Sequence, residues 1–194
     1  MNILIFGCGG REHCIIKHLK DHTVFCITGS NNYNYKIAED CKKLVVLSNI
    51  TKELLSHYVR YWNIDYAVIG PESLLNKGIP DILDSLNIPC IGPKSLYARI
   101  ETDKIYARNL LKDNGLGKYN PEFVVISNYS EYNNMIDYLD MFKGNYVIKP
   151  AGLHGGKGVK ISGYLSFRLP ASPVNRLQPL SGPASSQWGW VRAA

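Results

Sequence analysis

Residues 2–13 read Asn2-Ile3-Leu4-Ile5-Phe6-Gly7-Cys8-Gly9-Gly10-Arg11-Glu12-His13, and the change of character along this stretch decides the fold. A short apolar run ends in glycines, and apolar residues then recur at helical spacing as Ile15, Ile16 and Leu19. This pattern predicts a strand, a tight turn and a helix. Further apolar runs at Thr23 to Thr28, Leu44 to Leu47, Tyr66 to Ile69 and Pro89 to Ile91 predict strands, and helical patterns cover 51–62 and about 77–87. Strands alternating with helices imply an α/β fold whose parallel sheet is covered on both faces. In such a sheet ligands bind at the carboxyl ends of the strands, where the Gly-rich turns lie.

A second unit is expected after Gly92-Pro93. It begins with an amphipathic helix over 101–115, carrying acids in its first turn and Gly115 at its end. A strand at about 122–127, a helix at about 131–142 and a strand from Asn145 to Lys149 follow. The loop Pro150-Ala151-Gly152-Leu153-His154-Gly155-Gly156-Lys157-Gly158 leads into a last strand, Val159 to Ser162. The domains expected are 1–92, a linker and helix over 93–118, and an incomplete unit over 119–164. Residues 165–194 form an atypical tail.

The chain has 194 residues, 45% of them hydrophobic and 20% charged, which describes a globular protein of one or two domains. No apolar run approaches the ~20 residues that span a bilayer, and no cleavable leader precedes the first strand. The expected location is therefore the cytoplasm, with no membrane partner. The five cysteines include no C-x-x-C pair, so reduced thiols are expected in place of a zinc site or disulfide framework.

The formal charge of +6 is unevenly drawn. Residues 1–164 hold 19 Lys+Arg against 16 Asp+Glu, leaving +3, and the last 30 residues add +3 from Arg168, Arg176 and Arg192 alone. All 13 tyrosines, and every lysine, isoleucine and acid, precede residue 165. The tail is rich in Pro, Ser, Arg and Ala, so a shifted reading frame, a fusion junction or foreign sequence is the expectation, and it is left out of fold reasoning. Without it the charge excess is too small to support a nucleic-acid partner.

Three loops carry chemistry. In Gly7 to His13 the glycines permit close backbone approach and the free N–H groups of a helix start favour an anion. Against the dinucleotide fingerprint, Glu12 stands where a third glycine is wanted, and no acid follows near Thr28-Gly29-Ser30. NAD binding is disfavoured on both counts. Arg11 and Glu12 otherwise read as a solvated first helical turn, and His13 as a packed helix histidine. The second loop, Gly155-Gly156-Lys157-Gly158, is not a Walker A loop, because Ala151 replaces its first glycine and a strand follows. A glycine hairpin closing over a triphosphate, with Lys157 and Lys149 as counter-charges, fits it better. The third, Gly70-Pro71-Glu72, follows the strand at 66–69, where Glu72 either accepts from a sugar hydroxyl or amine or merely stabilises the turn.

Taken in order, these motifs resemble the phosphoribosylamine–glycine ligases of the ATP-grasp superfamily. The resemblance rests on Gly7 to Cys14, Gly70 to Gly78, Gly92 to Lys94, Ile100 to Lys104 and Val147 to Ile161, within residues 1–164. Cys8, Leu74 and Ala151 depart from the family's usual Asn, Pro and Asp. The resemblance implies a Rossmann-like pre-ATP-grasp domain followed by the start of an ATP-grasp domain. It also implies ATP-dependent joining of glycine to 5-phosphoribosylamine through glycyl phosphate, in purine biosynthesis. Carried over by motif, Lys104, Lys149, Gly155, Gly156, Lys157 and Gly158 would contact ATP. Gly9, Gly10, Arg11 and Glu72 would lie near the phosphoribosyl substrate. No catalytic residue is assigned. The Mg²⁺ ligands are expected in the missing part of the family's chain, because the last acid here is Asp140. The chain is accordingly expected to be a truncated ligase without turnover of its own. The alternatives are another ATP-grasp ligase, such as a carboxylase, or a non-catalytic sugar-phosphate-binding remnant.

Overall fold

The structure is a computed structural model that describes residues 1–29, 35–126, 146–154, 158–161 and 188–191. The chain divides into two compact units, Met1–Thr102 and Asp103–Ala194. The sequence pattern had set the first boundary at residue 92; the first unit runs on through one more helix.

Five strands build the first unit: β1 (Asn2–Phe6), β2 (Thr23–Thr28), β3 (Lys43–Val46), β4 (Tyr66–Ile69) and β5 (Cys90–Ile91). They pair in parallel in the order β3-β2-β1-β4-β5. The helices between and after them are α1 (Gly10–His18), α2 (Tyr35–Asp40), α3 (Lys52–Tyr61), α4 (Glu72–Asn76), α5 (Ile79–Ser85) and α6 (Ser95–Thr102). The sequence pattern had shown neither α2, α4 nor α6, each too short or too polar to give a clear period.

Strand β1 is central because both of its faces are apolar. Successive side chains alternate between faces, so Leu4 and Phe6 join Phe25, Ile27, Leu55 and Trp62 in one core. Ile3 and Ile5 join Ile16, Val24, Cys26 and Ile37 in the other. The Phe25 and Trp62 rings stack at 4.9 Å, fixing the end of α3 against the sheet. Thr51 starts that helix by accepting the Leu54 N–H at 3.3 Å. The strand order reverses between β1 and β4, which opens a crevice at their carboxyl ends. The loops Gly7 to Gly10 and Gly70 to Glu72 leave the sheet there.

The second unit contains α7 (Lys104–Asp113), β6 (Phe123–Ile126), β7 (Val147–Pro150), β8 (Lys160–Ile161) and β9 (Trp188–Val191). The helix expected over 101–115 is interrupted. Glu101 belongs to α6, and Asp103 caps α7 by accepting the Tyr106 N–H at 2.9 Å, since an Asp side chain competes with the backbone for that donor. The helix expected at 131–142 lies outside the described residues. The four strands pair antiparallel in the order β6-β9-β7-β8. Four residues of the stretch set aside on composition take part in this sheet. Trp188–Val191 runs between β6 and β7, with Trp190 opposite both Val124 and Ile148. Compositional contrast bears on the origin of a segment, whereas sheet pairing asks only for an extended backbone with donors and acceptors.

Candidate functional site

The two loops at the β1/β4 crevice are joined by the first turn of α1. Gly7 has a φ of +112°, a region that glycine alone occupies freely, and its N–H is tied to the Ile27 carbonyl at 3.0 Å. Beneath it the Cys26 thiol donates to the Gly7 carbonyl at 3.1 Å. Gly9 is the N-cap of α1, and its N–H donates to Glu12 Oε2 at 2.6 Å. This is one half of a capping box, the half a glycine cap still permits. Glu12 is only 5% exposed. The solvated first turn read from the sequence thus does not hold for Glu12, although Arg11 is exposed. The Arg11 guanidinium crosses to the other loop and donates to the Gly70 carbonyl.

Gly70 has no room for a side chain: a Cβ there would lie 2.6 Å from Glu12 Cδ. Gly9 is thus already bonded within the protein, while Gly10, over which a Cβ would meet nothing within 4 Å, faces open space. The N–H groups of Gly10 and Arg11, at the first positions of the helix, have no intrahelical acceptor and none elsewhere among the described residues, so they are available to an anion. Glu72 is the first residue of α4, half-buried, and makes no hydrogen bond or ion pair among the described residues. The crevice offers free N–H donors from one loop and a carboxylate acceptor from the other.

His13 is indeed a packed helix histidine, its side chain 14% exposed, with Nε2 2.6 Å from Asp40 Oδ2 in α2. That imidazole, helped by Lys17 Nζ at 3.8 Å, holds the Asp40 carboxyl below the usual carboxylate range. The sequence pattern missed both Glu12 and Asp40. The Gly9-x-x-Glu12 spacing is a capping-box signal that could have found the first; nothing local marks the second.

The second unit brings together two of the three lysines expected to contact ATP, Lys104 and Lys149. The Lys104 ammonium donates to the Gly152 carbonyl at 2.7 Å, and its backbone N–H to the Ala151 carbonyl at 3.2 Å, so the start of α7 is stitched to the loop after β7. Burial, and then the neighbouring Lys149, push the Lys104 ammonium below its ordinary pKa. Two cations close enough to disfavour one another form a site that an anion would relieve. Gly158 follows with a φ of +80°. Gly155, Gly156 and Lys157 lie outside the described residues. Among the described residues no group of three or more His, Cys, Asp or Glu side chains can hold a metal ion, and no helix is long and apolar enough to cross a membrane.

Comparison with known proteins gives a consistent picture. The family described as phosphoribosylglycinamide synthetase, N domain, matches residues 1–101. A phosphoribosylamine–glycine ligase of Methanococcoides burtonii is 37% identical over 167 residues, 84% of this chain and 37% of that protein. The crystal structure of phosphoribosylamine–glycine ligase from Thermotoga maritima is similar with a TM-score of 0.60 at 25% identity, over 84% of this chain and 36% of that one. N5-carboxyaminoimidazole synthetase from Staphylococcus aureus, complexed with ADP, gives a TM-score of 0.64 at 11% identity, over 99% of this chain and 47% of that one, a likeness of fold. The chain spans little more than a third of the length of the curated relatives it matches.

Proposed function

The chain belongs to the phosphoribosylglycinamide synthetase family through its N domain, and from that premise we propose that it holds the sugar phosphate and the ATP of a phosphoribosylamine–glycine ligase. The reaction joins glycine to 5-phosphoribosylamine in purine biosynthesis. A glycine carboxylate oxygen attacks the γ-phosphorus of ATP, the bond to ADP breaks, and glycyl phosphate forms. The amine of 5-phosphoribosylamine then attacks the glycyl carbonyl, loses a proton, and expels inorganic phosphate.

The residues divide this work. Gly10 and Arg11 donate backbone N–H groups to the sugar's phosphate, and Gly9 holds their loop in place. Glu72 accepts from a ribose hydroxyl or the amine. Lys104 and Lys149 face the triphosphate, whose negative charge offsets their mutual repulsion, and Gly155 to Gly158 close over it. Small-molecule substrates and a cytoplasmic location belong to the same reading. Mg²⁺ is assigned no step, because the described residues offer it no ligand set.

The observation that carries the proposal is the pair of loops at the β1/β4 reversal, with helix-start donors on one and, on the other, a Glu72 carboxylate that makes no hydrogen bond or ion pair among the described residues. Calorimetric titration of the chain tests it. Glycinamide ribonucleotide is expected to bind and to weaken about tenfold in Glu72→Ala, and ATP to bind and weaken similarly in Lys149→Ala. Binding of NADH in place of the ribonucleotide would overturn the assignment. Ribonucleotide binding without ATP binding would leave a sugar-phosphate-binding module.

A further inference from the structure

Glu12 stands where a third glycine would complete the dinucleotide fingerprint, yet it is buried and not displaced to the surface. Its Oε2 takes the Gly9 N–H at 2.6 Å. A capping box would account for that bond alone. It would not account for the other side of the carboxyl group. There the Cδ lies 2.6 Å from where a Cβ of Gly70 would stand, and Cγ and Cδ lie 2.9 Å from a Cβ of Gly7. The carboxyl group therefore fills the space that a side chain would take on both loops. Arg11, the preceding residue, reaches the same place by donating to the Gly70 carbonyl. Two consecutive residues of α1 thus span from the β1 loop to the β4 loop, and both engage backbone.

Resting on the reading of this crevice as a sugar-phosphate site, we infer that Glu12 is a positioning residue that clasps the two glycine loops together, so that the Gly10 and Arg11 donors and the Glu72 acceptor meet a phosphorylated sugar at a fixed spacing. A charge-assisted bond to backbone is the stronger kind, and preorganised donors need not be ordered when the ligand arrives. Gly70 is required because Glu12 occupies its side-chain position. Glu12 itself need not touch the ligand.

The test uses the full chain. The Gly9 amide proton resonance is expected to move upfield in Glu12→Ala and to return most of the way in Glu12→Gln, which keeps an acceptor oxygen. Gly70→Ala is expected to unfold the chain or lower its urea midpoint sharply, and to do so much less in a Glu12→Ala background, where the new methyl enters vacated space. Equal losses in the two backgrounds, or a double variant that fails to fold where Glu12→Ala folds, would overturn the inference. In titrations with glycinamide ribonucleotide, Glu12→Ala is expected to weaken binding about tenfold and Glu12→Gln to restore it; unchanged affinity in Glu12→Ala would also overturn it. If the wild-type chain ignores the ribonucleotide while the Glu12–Gly70 coupling is measured, the clasp stands and the sugar-phosphate reading fails.

Discussion

The loop after β1 and the loop after β7 are both glycine runs that leave the end of a strand, but their supports differ. The first rises from a strand whose Leu4, Ile5 and Phe6 are wholly buried, packed on both faces and flanked by two parallel neighbours. It is tied by a thiol, a carboxylate and a guanidinium to backbone atoms. The second rises from β7, where Val147 is buried but Lys149 is half-exposed, and among the described residues its side-chain anchor from another element is Lys104 on the Gly152 carbonyl. A loop that must present donors at fixed spacing gains from the first arrangement. The second arrangement suits the polyphosphate proposed for that loop, which has to be admitted and released.

The largest expected effect tests the strands themselves. Phe6→Ala removes a fully buried ring from the principal core and is expected to cost about 3–5 kcal/mol. Val147→Ala removes two methylene equivalents and is expected to cost about 2 kcal/mol. Urea unfolding, with amide exchange read separately on β1 and β7, measures both. A Val147→Ala loss as large as that of Phe6→Ala would remove the contrast between the two supports.

How far the sequence showed this in advance follows the same contrast. The parallel sheet was legible because β1, β2 and β4 are short apolar runs ended by turn residues, and such runs say where a strand is without any knowledge of its partners. Gly9, Gly10, Arg11 and Glu72, the positions proposed for the sugar phosphate, were open to sequence reading as candidates because they lie on the loops that directly follow β1 and β4. The Gly9-x-x-Glu12 spacing marks only the bond of Glu12 to its own loop; its burial could not be read, because that depends on Gly70, a residue 58 positions away that becomes its neighbour only through the pairing of Phe6 with Ile69. Asp40 was hidden likewise, being the partner of His13 only once α1 and α2 pack together. The break at Asp103 was missed through competition between cap and helix interior, since an acid in a first turn and an acid that ends one helix and starts another look alike in the chain. The place of Trp188–Val191 in the second sheet was missed because composition was allowed to exclude it.

An effect of intermediate size lies in the second loop. Lys104 is lowered first by burial and then by Lys149, so its charged form is disfavoured in the folded chain. The unfolded chain then binds more protons between the lowered folded value and the ordinary lysine value of about 10.4, and stability is expected to rise with pH across that window. Lys149→Ala is expected to move the Lys104 titration upward, without restoring the ordinary value, because burial remains. An NMR titration of the Lys104 side-chain nitrogen checks this. An unmoved midpoint would mean that the two lysines do not share a field, and the second loop would lose its paired cations.

The smallest effect sharpens the comparison by its sign. In the first unit the charges beside the loop are opposite, with His13 and Lys17 holding Asp40 below its ordinary pKa. A carboxylate so lowered adds stability that is fully present above the unfolded value of about 3.9 and is lost as the pH falls through the lowered folded value. Asp40→Asn is therefore expected to flatten the acid limb of a urea-midpoint profile between about pH 5 and pH 2, and to leave the alkaline limb, where Lys104 titrates, unchanged. Because Asp40 is open to solvent, added salt should shrink its contribution. The same salt should relieve the repulsion of Lys104 by Lys149 and so add stability where Lys104 is charged. Opposite responses to one variable would show that the first loop is bordered by a matched pair and the second by like charges that call for an anion. A parallel response would show that the two borders are electrostatically alike, and the division of labour between the loops would then rest on packing alone.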